Sequence, residues 1–329
     1  VSSRPDPASP GSPSGHPEPR TDPEAVFVEL RPLLFSIAYR MLARVAEAED
    51  AVQDTFLRYQ RALADGTVVD APRAYLSATV TRLCIDRLRS AAHRHEEYVG
   101  PWLPEPVLAG MADTGAIDPA DHAQQADSLS MAFLLVLERL APVERAVFLL
   151  HDVFGYDYPQ IARIVDRSEV NCRQLAARAR RRVTAEQPRF EASRSQSDRL
   201  ARRFFAALQD GDLTGLIDLL AADAVAYGDG GGKAPQWPGP IIGAERVARI
   251  LAGAGRVIKT YDLRLEPQTV NGQPGALVRT VDGRLVNVYC LEIIDGRVST
   301  VRSVINPDKL RHLGPVADLP ALRDAHRRG

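Results

Sequence analysis

Residues 156–183, YDYPQIARIVDRSEVNCRQLAARARRRV, decide how the rest of this chain is read. The stretch divides into a short apolar helix, a polar turn and a second helix. Ile161, Ala162, Ile164 and Val165 supply the buried face of the first helix. Asp166 and Arg167 break that pattern, and Ser168 stands where a hydroxyl accepts from the open amides of a helix start. The second helix carries Arg173, Arg178, Arg180, Arg181 and Arg182 against one early acid, Glu169. A helix-turn-helix lays its second helix in the major groove with its N-terminal residues at base edges. Arginines further along neutralise phosphates, which adds affinity without sequence choice. The alternative is an ordinary helical hairpin with a solvated basic face; motif and charge together favour DNA.

At 329 residues the chain is long enough for two or three domains of ~100–200 residues. A hydrophobic content of 45% suffices for packed cores, and a net charge of −1 excludes nothing, because the arginines are unevenly placed. Cys84, Cys172 and Cys290 lie far apart, with no CxxC pair and no histidine cluster. That spacing argues against structural zinc and a disulfide framework and fits a reducing cytoplasm. No apolar run approaches the ~20 residues of a membrane helix, and no signal peptide is visible. A soluble cytoplasmic protein without a metal, cofactor or membrane partner is expected.

Upstream, residues 1–22 are Ser, Pro and Gly with scattered charge and are expected to be a disordered tail. An opening Val1 in place of Met fits a tail that includes residues upstream of the true start. From Pro23 to about residue 95 the periodicity is helical, with Phe27, Leu30, Leu34, Ile37 and Met41 on one face and Pro32 marking a kink or restart. The segment AEAEDAVQDTFLRYQRAL follows, with Val52, Phe56, Tyr59 and Leu63 inward. Asp70 and Pro72 read as cap and first-turn residues of a long helix, APRAYLSATVTRLCIDRLRSAAHR. Its basic face and Tyr75 suit stacking on unpaired bases, although Tyr75 serves equally as core. Residues 96–125 are rich in Pro, Gly and acids and read as an extended linker. Within it Trp102 and Leu103 form an apolar pair that either docks on a partner surface or covers a neighbouring domain.

Residues 126–187 are helical again, with Pro142 opening a helix before the quoted stretch. The last domain, 194–313, begins with helices and ends in the strand-like runs YDLRLEPQTV, GALVRTVD, RLVNVYCLEII and RVSTVRSVIN. Asn271-Gly272, Asp282-Gly283 and Asp295-Gly296 are hairpin signals between them. The expected fold is therefore multidomain: two all-α blocks, then an α+β domain whose curved antiparallel sheet covers helices. Residues 314–329 form a tail. Asp229, Trp237, Tyr227 and Arg279 are candidates to line a pocket in the last domain, but no second histidine or carboxylate stands at a diagnostic spacing. No catalytic residue is assigned. Gly230, Gly231 and Gly232 lack the context of a P-loop and read as a turn that presents Asp229 and Lys233.

The ordered set of motifs resembles a sigma factor of the extracytoplasmic-function type. AYRMLARVAEAEDAVQDTFLRYQRAL is similar to that family's region two, APRAYLSATVTRLCIDRLRS to its promoter-melting segment, and the quoted stretch to the helix-turn-helix of region four. YVGPWLPEP, DGGGK and NPDKL resemble the subgroup with a fused SnoaL-like domain, which shares the cone-shaped NTF2-like fold. The resemblance implies binding of RNA polymerase core, to the β′ clamp helices through Glu49, Asp50, Gln53 and Asp54 and also to the β flap. It implies melting of a single-stranded −10 element by Arg73, Tyr75, Arg82 and Arg87 with the loop at 65–70. It implies reading of a duplex −35 element by Ser168, Asn171, Arg173, Gln174 and Arg178, with Arg180 and Arg181 beyond them. Asn171 and Gln174 suit adenine and Arg173 suits guanine. Asp166-Arg167 replaces the family's usual Gly and apolar residue, and Asp tolerates the left-handed turn.

A regulatory contact within the chain is the further expectation. Trp102, Leu103, Pro104 and Glu105 of the linker would dock near Asp229 and Lys233 and near Asn306, Pro307, Asp308 and Lys309, and a small ligand in the terminal domain would bias that docking. Two rival readings are a helix-turn-helix repressor that works without polymerase, and a bifunctional protein whose last domain is an isomerase or cyclase.

Overall fold

The computed structural model describes residues 22–91, 98–111, 128–186, 194–318 and 321. Of the expected N-terminal tail only Asp22 lies among them, and the expected linker and C-terminal tail are described in part.

The first helical block is built from α1 (Pro23–Leu42), α2 (Val45–Ala64) and α3 (Pro72–Ala91). Asp22 caps α1 by accepting from the Glu24 amide, and Pro23 fits the first helical position. The helix runs unbroken through Pro32, so the expected restart is absent. Proline costs the carbonyl four residues back its bond, and Val28 is 69% exposed, so water can solvate that group. Ahead of α3 the first helical bond is accepted by the Ala71 carbonyl. The cap therefore sits at Ala71, one residue inside the expected Asp70.

The second block comprises α4 (Met131–Glu138), α5 (Pro142–Phe148), α6 (Tyr158–Val165) and α7 (Glu169–Glu186). α5 continues into one π turn at Leu149–Val153. Asp157 and Gln160 form a reciprocal capping box at α6, and Ser168 caps α7 by accepting from the Asn171 amide at 3.2 Å. Asp166 takes the left-handed conformation, φ 53°, that the turn demands. The two blocks share one hydrophobic core, from Val26 to Val183.

In the terminal domain, α8 (Arg194–Asp210), α9 (Leu213–Leu219) and α10 (Ala244–Thr260) pack on a sheet of β1 (Leu220–Asp229), β2 (Ile241–Ile242), β3 (Arg264–Val270), β4 (Gln273–Arg279), β5 (Leu285–Ile294) and β6 (Arg297–Val304). Strand order is β2-β1-β6-β5-β4-β3. The expectation of a wholly antiparallel sheet is corrected at one place: β1 pairs parallel to β6. The chain reaches β6 from β1 through α10 and a meander rather than a hairpin, which frees the pair to run in parallel. Pro267 lies in β3, at the sheet edge, where a missing amide is tolerated.

Both faces of this sheet are covered. Tyr289 and Leu291 of β5 face α8 and α10, while Val288 and Cys290 join Leu277, Val304, Leu103 of the linker and Met131 of α4 in a separate apolar cluster. Alternate residues of β5 thus serve two cores, which explains its near-continuous apolar sequence. The terminal domain is bolted to the helical blocks through its outer sheet face.

Candidate nucleic-acid interface

The polar face of α7 is set by what holds α7 down. Cys172, Ala176, Ala179 and Val183 are buried at helical spacing, which leaves Ser168, Arg173, Gln174, Arg178 and Arg181 exposed and Asn171 half-buried. These residues share one helix, but their electrostatic situations differ. Arg178 donates to both oxygens of Glu144 at 2.8 and 3.2 Å, and Arg182 approaches the same carboxylate at 3.5 Å. The Glu144 side chain is 1% exposed. Arg180 donates to Asp152 at 2.6 Å and to the Tyr158 hydroxyl. Arg178 and Arg180 therefore clamp α7 to α5 and the π turn. Arg173 lies over the Tyr158 ring at 4.6 Å and meets Glu169 at 3.3 Å, an arrangement that pre-orients it at the head of the helix. His151 packs at a tilt against the Tyr158 ring, centroids 4.2 Å apart, and meets the Tyr156 carbonyl, a structural place rather than a catalytic one.

On α3, Arg73 is exposed, whereas the other three candidates have protein partners. Tyr75 is half-buried against Tyr59, centroids 5.9 Å apart, and belongs to the core. Arg82 donates to the carbonyls of Ile164 and Arg163 at 2.8 and 2.7 Å, which ties α3 to the C-terminus of α6. There it meets carbonyls left without helical partners and the negative end of the helix dipole. Arg87 pairs with Asp54 at 2.8 Å and also donates to the Glu47 carbonyl. On α2, Glu49, Asp50, Gln53 and Asp54 share the outward face; Glu49 pairs with Arg31 at 2.6 Å, and Asp50 and Gln53 are exposed. Two further arginines that the sequence reading missed cross between the blocks. Arg40 donates to Ser128 at 3.0 Å and stacks on Phe154, and Arg145 donates to the Met41 carbonyl. Burial pushes the Arg145 guanidinium down to about 10.

The linker motif is buried between blocks and terminal domain. Asp229, at the end of β1 and fully buried, accepts from the Tyr98 hydroxyl, from the Leu103 amide at 2.8 Å and from Lys309 at 2.7 Å. Lys309 also donates to the Leu103 carbonyl and lies over Trp102 at 4.3 Å and Tyr98 at 4.8 Å. Burial pushes this ammonium down to about 8, while Asp229 acts in the opposite direction. Asn306 donates to the Tyr98 hydroxyl at 2.9 Å, and Pro307 opens the short turn that carries Asp308 and Lys309. Lys233 pairs with Asp308 at the surface. Gly231 has φ 56°, and a Cβ there would overlap the Asn306 side chain, so both conformation and space demand glycine.

Further along, Leu103 and Pro104 are buried, and Glu105 turns to the helical blocks. Its carboxylate accepts from the Val45 amide at 2.7 Å and so caps α2, whose own Arg44 makes no cap bond. Asn271 completes the seam. It accepts from the Val107 amide at 3.1 Å and donates to the Tyr39 hydroxyl at 2.7 Å and the Leu129 carbonyl at 3.0 Å. Asn271 was read only as a hairpin residue; its buried side chain has no signal in the sequence.

Of the four residues expected to line a pocket, only Trp237 does so. Asp229 is consumed by the linker, Tyr227 packs with the outer-face cluster, and Arg279 pairs with Glu266. No group of three or more metal-ligating side chains occurs among the described residues. No helix among them is long and apolar enough to cross a membrane.

Residues 26–94 match the Sigma-70 region 2 family, 130–183 match Sigma-70, region 4, and 201–305 match the SnoaL-like domain. Over 294 residues the chain is 37% identical to the ECF RNA polymerase sigma factor SigJ of Mycobacterium tuberculosis, an alignment covering 86% of this chain and 91% of that relative. The chain belongs to the extracytoplasmic-function sigma factors. The crystal structure of M. tuberculosis SigJ superposes with a TM-score of 0.67 at 33% identity, covering 88% of this chain and 98% of that one. A probable sigma factor of the same organism, SigI, is 33% identical over 284 residues, 85% of this chain and 92% of that relative. As a sigma factor the chain is a transcription initiation factor rather than an enzyme, with RNA polymerase core and promoter DNA as its partners.

Proposed function

We propose that this sigma factor is held in a closed arrangement by its own terminal domain, and that a latch centred on Asp229 restrains promoter engagement. The units are region 2 (23–95), the linker (96–125), region 4 (126–187) and the terminal domain (194–313). The observation that carries the reading is the threefold use of Asp229 by Tyr98, Leu103 and Lys309. The same linker caps α2 through Glu105, so the latch and the DNA-binding blocks are one connected network.

Within this reading, Glu49, Asp50, Gln53 and Asp54 meet the basic β′ clamp helices, and region 4 meets the β flap. Arg73, Arg82 and Arg87, with the loop at 65–70, act on the single-stranded −10 element, and Tyr75 supports their helix from the core. Ser168, Asn171, Arg173 and Gln174 read the −35 duplex. Arg178 and Arg180 orient the helix through carboxylates, and Arg181 contacts phosphate. Arg82 is occupied by carbonyls of α6, so using it on DNA requires the two regions to part. A small ligand of the terminal domain is the input to the latch, and the cytoplasm is the place of action.

Transcription in vitro with bacterial core polymerase tests this reading, comparing the full chain with versions ending near Gln187 and near Ser303. Initiation that rises when the terminal domain or the segment after Ser303 is removed supports it, and initiation that falls contradicts the latch. Equal initiation by all three removes the regulatory part, and duplex binding without initiation would favour a polymerase-independent repressor.

A further inference from the structure

The outermost ridge of α7 carries more than the polar residues expected to read bases. The buried stripe of this helix is Cys172, Ala176, Ala179 and Val183. At ~3.6 residues per turn, the direction opposite that stripe falls on residues 170, 174, 177 and 181. These are Val170, Gln174, Ala177 and Arg181, and all four are exposed. Val170 is 65% exposed, and among the described residues from 128 to 186 it is the one large apolar side chain left so. It stands second in α7, after Glu169 and the Ser168 cap. That is the end a helix-turn-helix presents to base edges.

A lone valine on a protein surface is ordinary; its place on this helix is not. Val170 belongs to none of the hydrophobic clusters. As a β-branched residue it also supports an exposed helical turn less well than alanine would, so folding gains nothing from it. One turn on, Arg173 is drawn over the Tyr158 ring and tied to Glu169, which leaves the valine uncovered. The major groove offers an apolar feature that hydrogen-bonding side chains do not exploit, the C5-methyl group of thymine. An aliphatic side chain in the first turn of a reading helix is the complement of that methyl. Asn171 and Gln174 beside it supply the hydrogen bonds that a valine lacks.

We propose that Val170 is a specificity-determining residue that reads a thymine methyl group in the −35 duplex. The inference rests on the reading of α7 as the −35 helix given above, and adds to it one residue and the base that residue selects. Val170 makes no hydrogen bond in this role; it discriminates by burying its own methyl groups against that of the base.

Selection from a duplex library randomised over a short segment tests the contact. Holoenzyme assembled from the full chain and bacterial core polymerase is the binder, and core polymerase alone gives the background. The wild-type chain is expected to enrich thymine at one position, and Val170→Ala to lose that preference while keeping the others. Replacing the selected thymine by deoxyuridine removes the methyl group alone. It should weaken wild-type binding about fourfold, the worth of one buried methyl, and cause no further loss with Val170→Ala. Val170→Thr keeps one of the two methyl groups and should fall between. Alanine in an exposed first turn should leave the thermal midpoint unchanged or higher, so a folding defect would be seen separately. A thymine preference that survives Val170→Ala, or equal wild-type affinity for thymine and deoxyuridine duplexes, would overturn the proposal and leave the −35 reading standing. No sequence enrichment by the wild-type holoenzyme would overturn the −35 reading itself, and the methyl contact with it.

Discussion

Single side chains decide the seam between the domains, and two of them make sharp predictions. Asn271 sits at φ 50° in a hairpin and serves three partners with its amide. Asn271→Gly keeps the turn geometry and removes only the amide, leaving buried donors and acceptors unpaired. A loss of about 3 kcal/mol in urea unfolding is expected. His312 contacts the Pro106 carbonyl at 2.7 Å, and burial holds its imidazole below the usual histidine value. Under acidification below about 6.5 the unfolded chain takes up a proton that the folded chain resists, so stability falls with falling pH in that window. Relative to the wild-type chain, His312→Gln should flatten the stability profile below about pH 6.5. Neither role was legible in advance: a hairpin Asn and a His near the end of the last domain look ordinary until the fold brings residues more than a hundred positions apart together.

At the scale of elements, the helix-turn-helix was readable because its signals are local. The alternation of apolar faces, the Ser168 cap and the left-handed Asp166 all act within a few residues. The strands and their Asn-Gly and Asp-Gly turns were readable for the same reason. The parallel β1–β6 pair and the π turn were not, because long-range pairing and packing set them. Charge roles on α7 were the least legible. Five arginines look alike in sequence, yet Glu144 and Asp152 turn two of them into clamps. Glu144→Gln should lose about 1.5–3 kcal/mol, the worth of hydrogen bonds to a charged group. It should also weaken −35 duplex binding several-fold by loosening the reading helix, seen as a lower thermal midpoint and a weaker fluorescence-anisotropy isotherm. Unchanged duplex affinity would leave Glu144 with a purely stabilising place.

For the molecule as a whole, the terminal domain, the linker and both helical regions form a single connected assembly. Leu103 is buried in the outer sheet face, where such a side chain contributes about 1.5–3 kcal/mol. Arg40, Arg82 and Arg145 cross between regions 2 and 4. These contacts hold the two regions together, and on the proposed reading the latch keeps them from parting on a promoter. The apolar character of Trp102-Leu103 pointed to docking, and the near-continuous apolar run of β5 carried the matching signal for a sheet covered on both faces. The sequence left Asp229 two places, a pocket wall and a contact for the linker; its carboxylate meets the Leu103 amide and Lys309. The most direct measurement is transcription in vitro by full-length wild-type, Asp229→Asn and Trp102→Ala chains with core polymerase. A latch that restrains the DNA-binding regions predicts initiation several-fold above wild type from both variants, whereas equal or lower initiation from folded variants would contradict it.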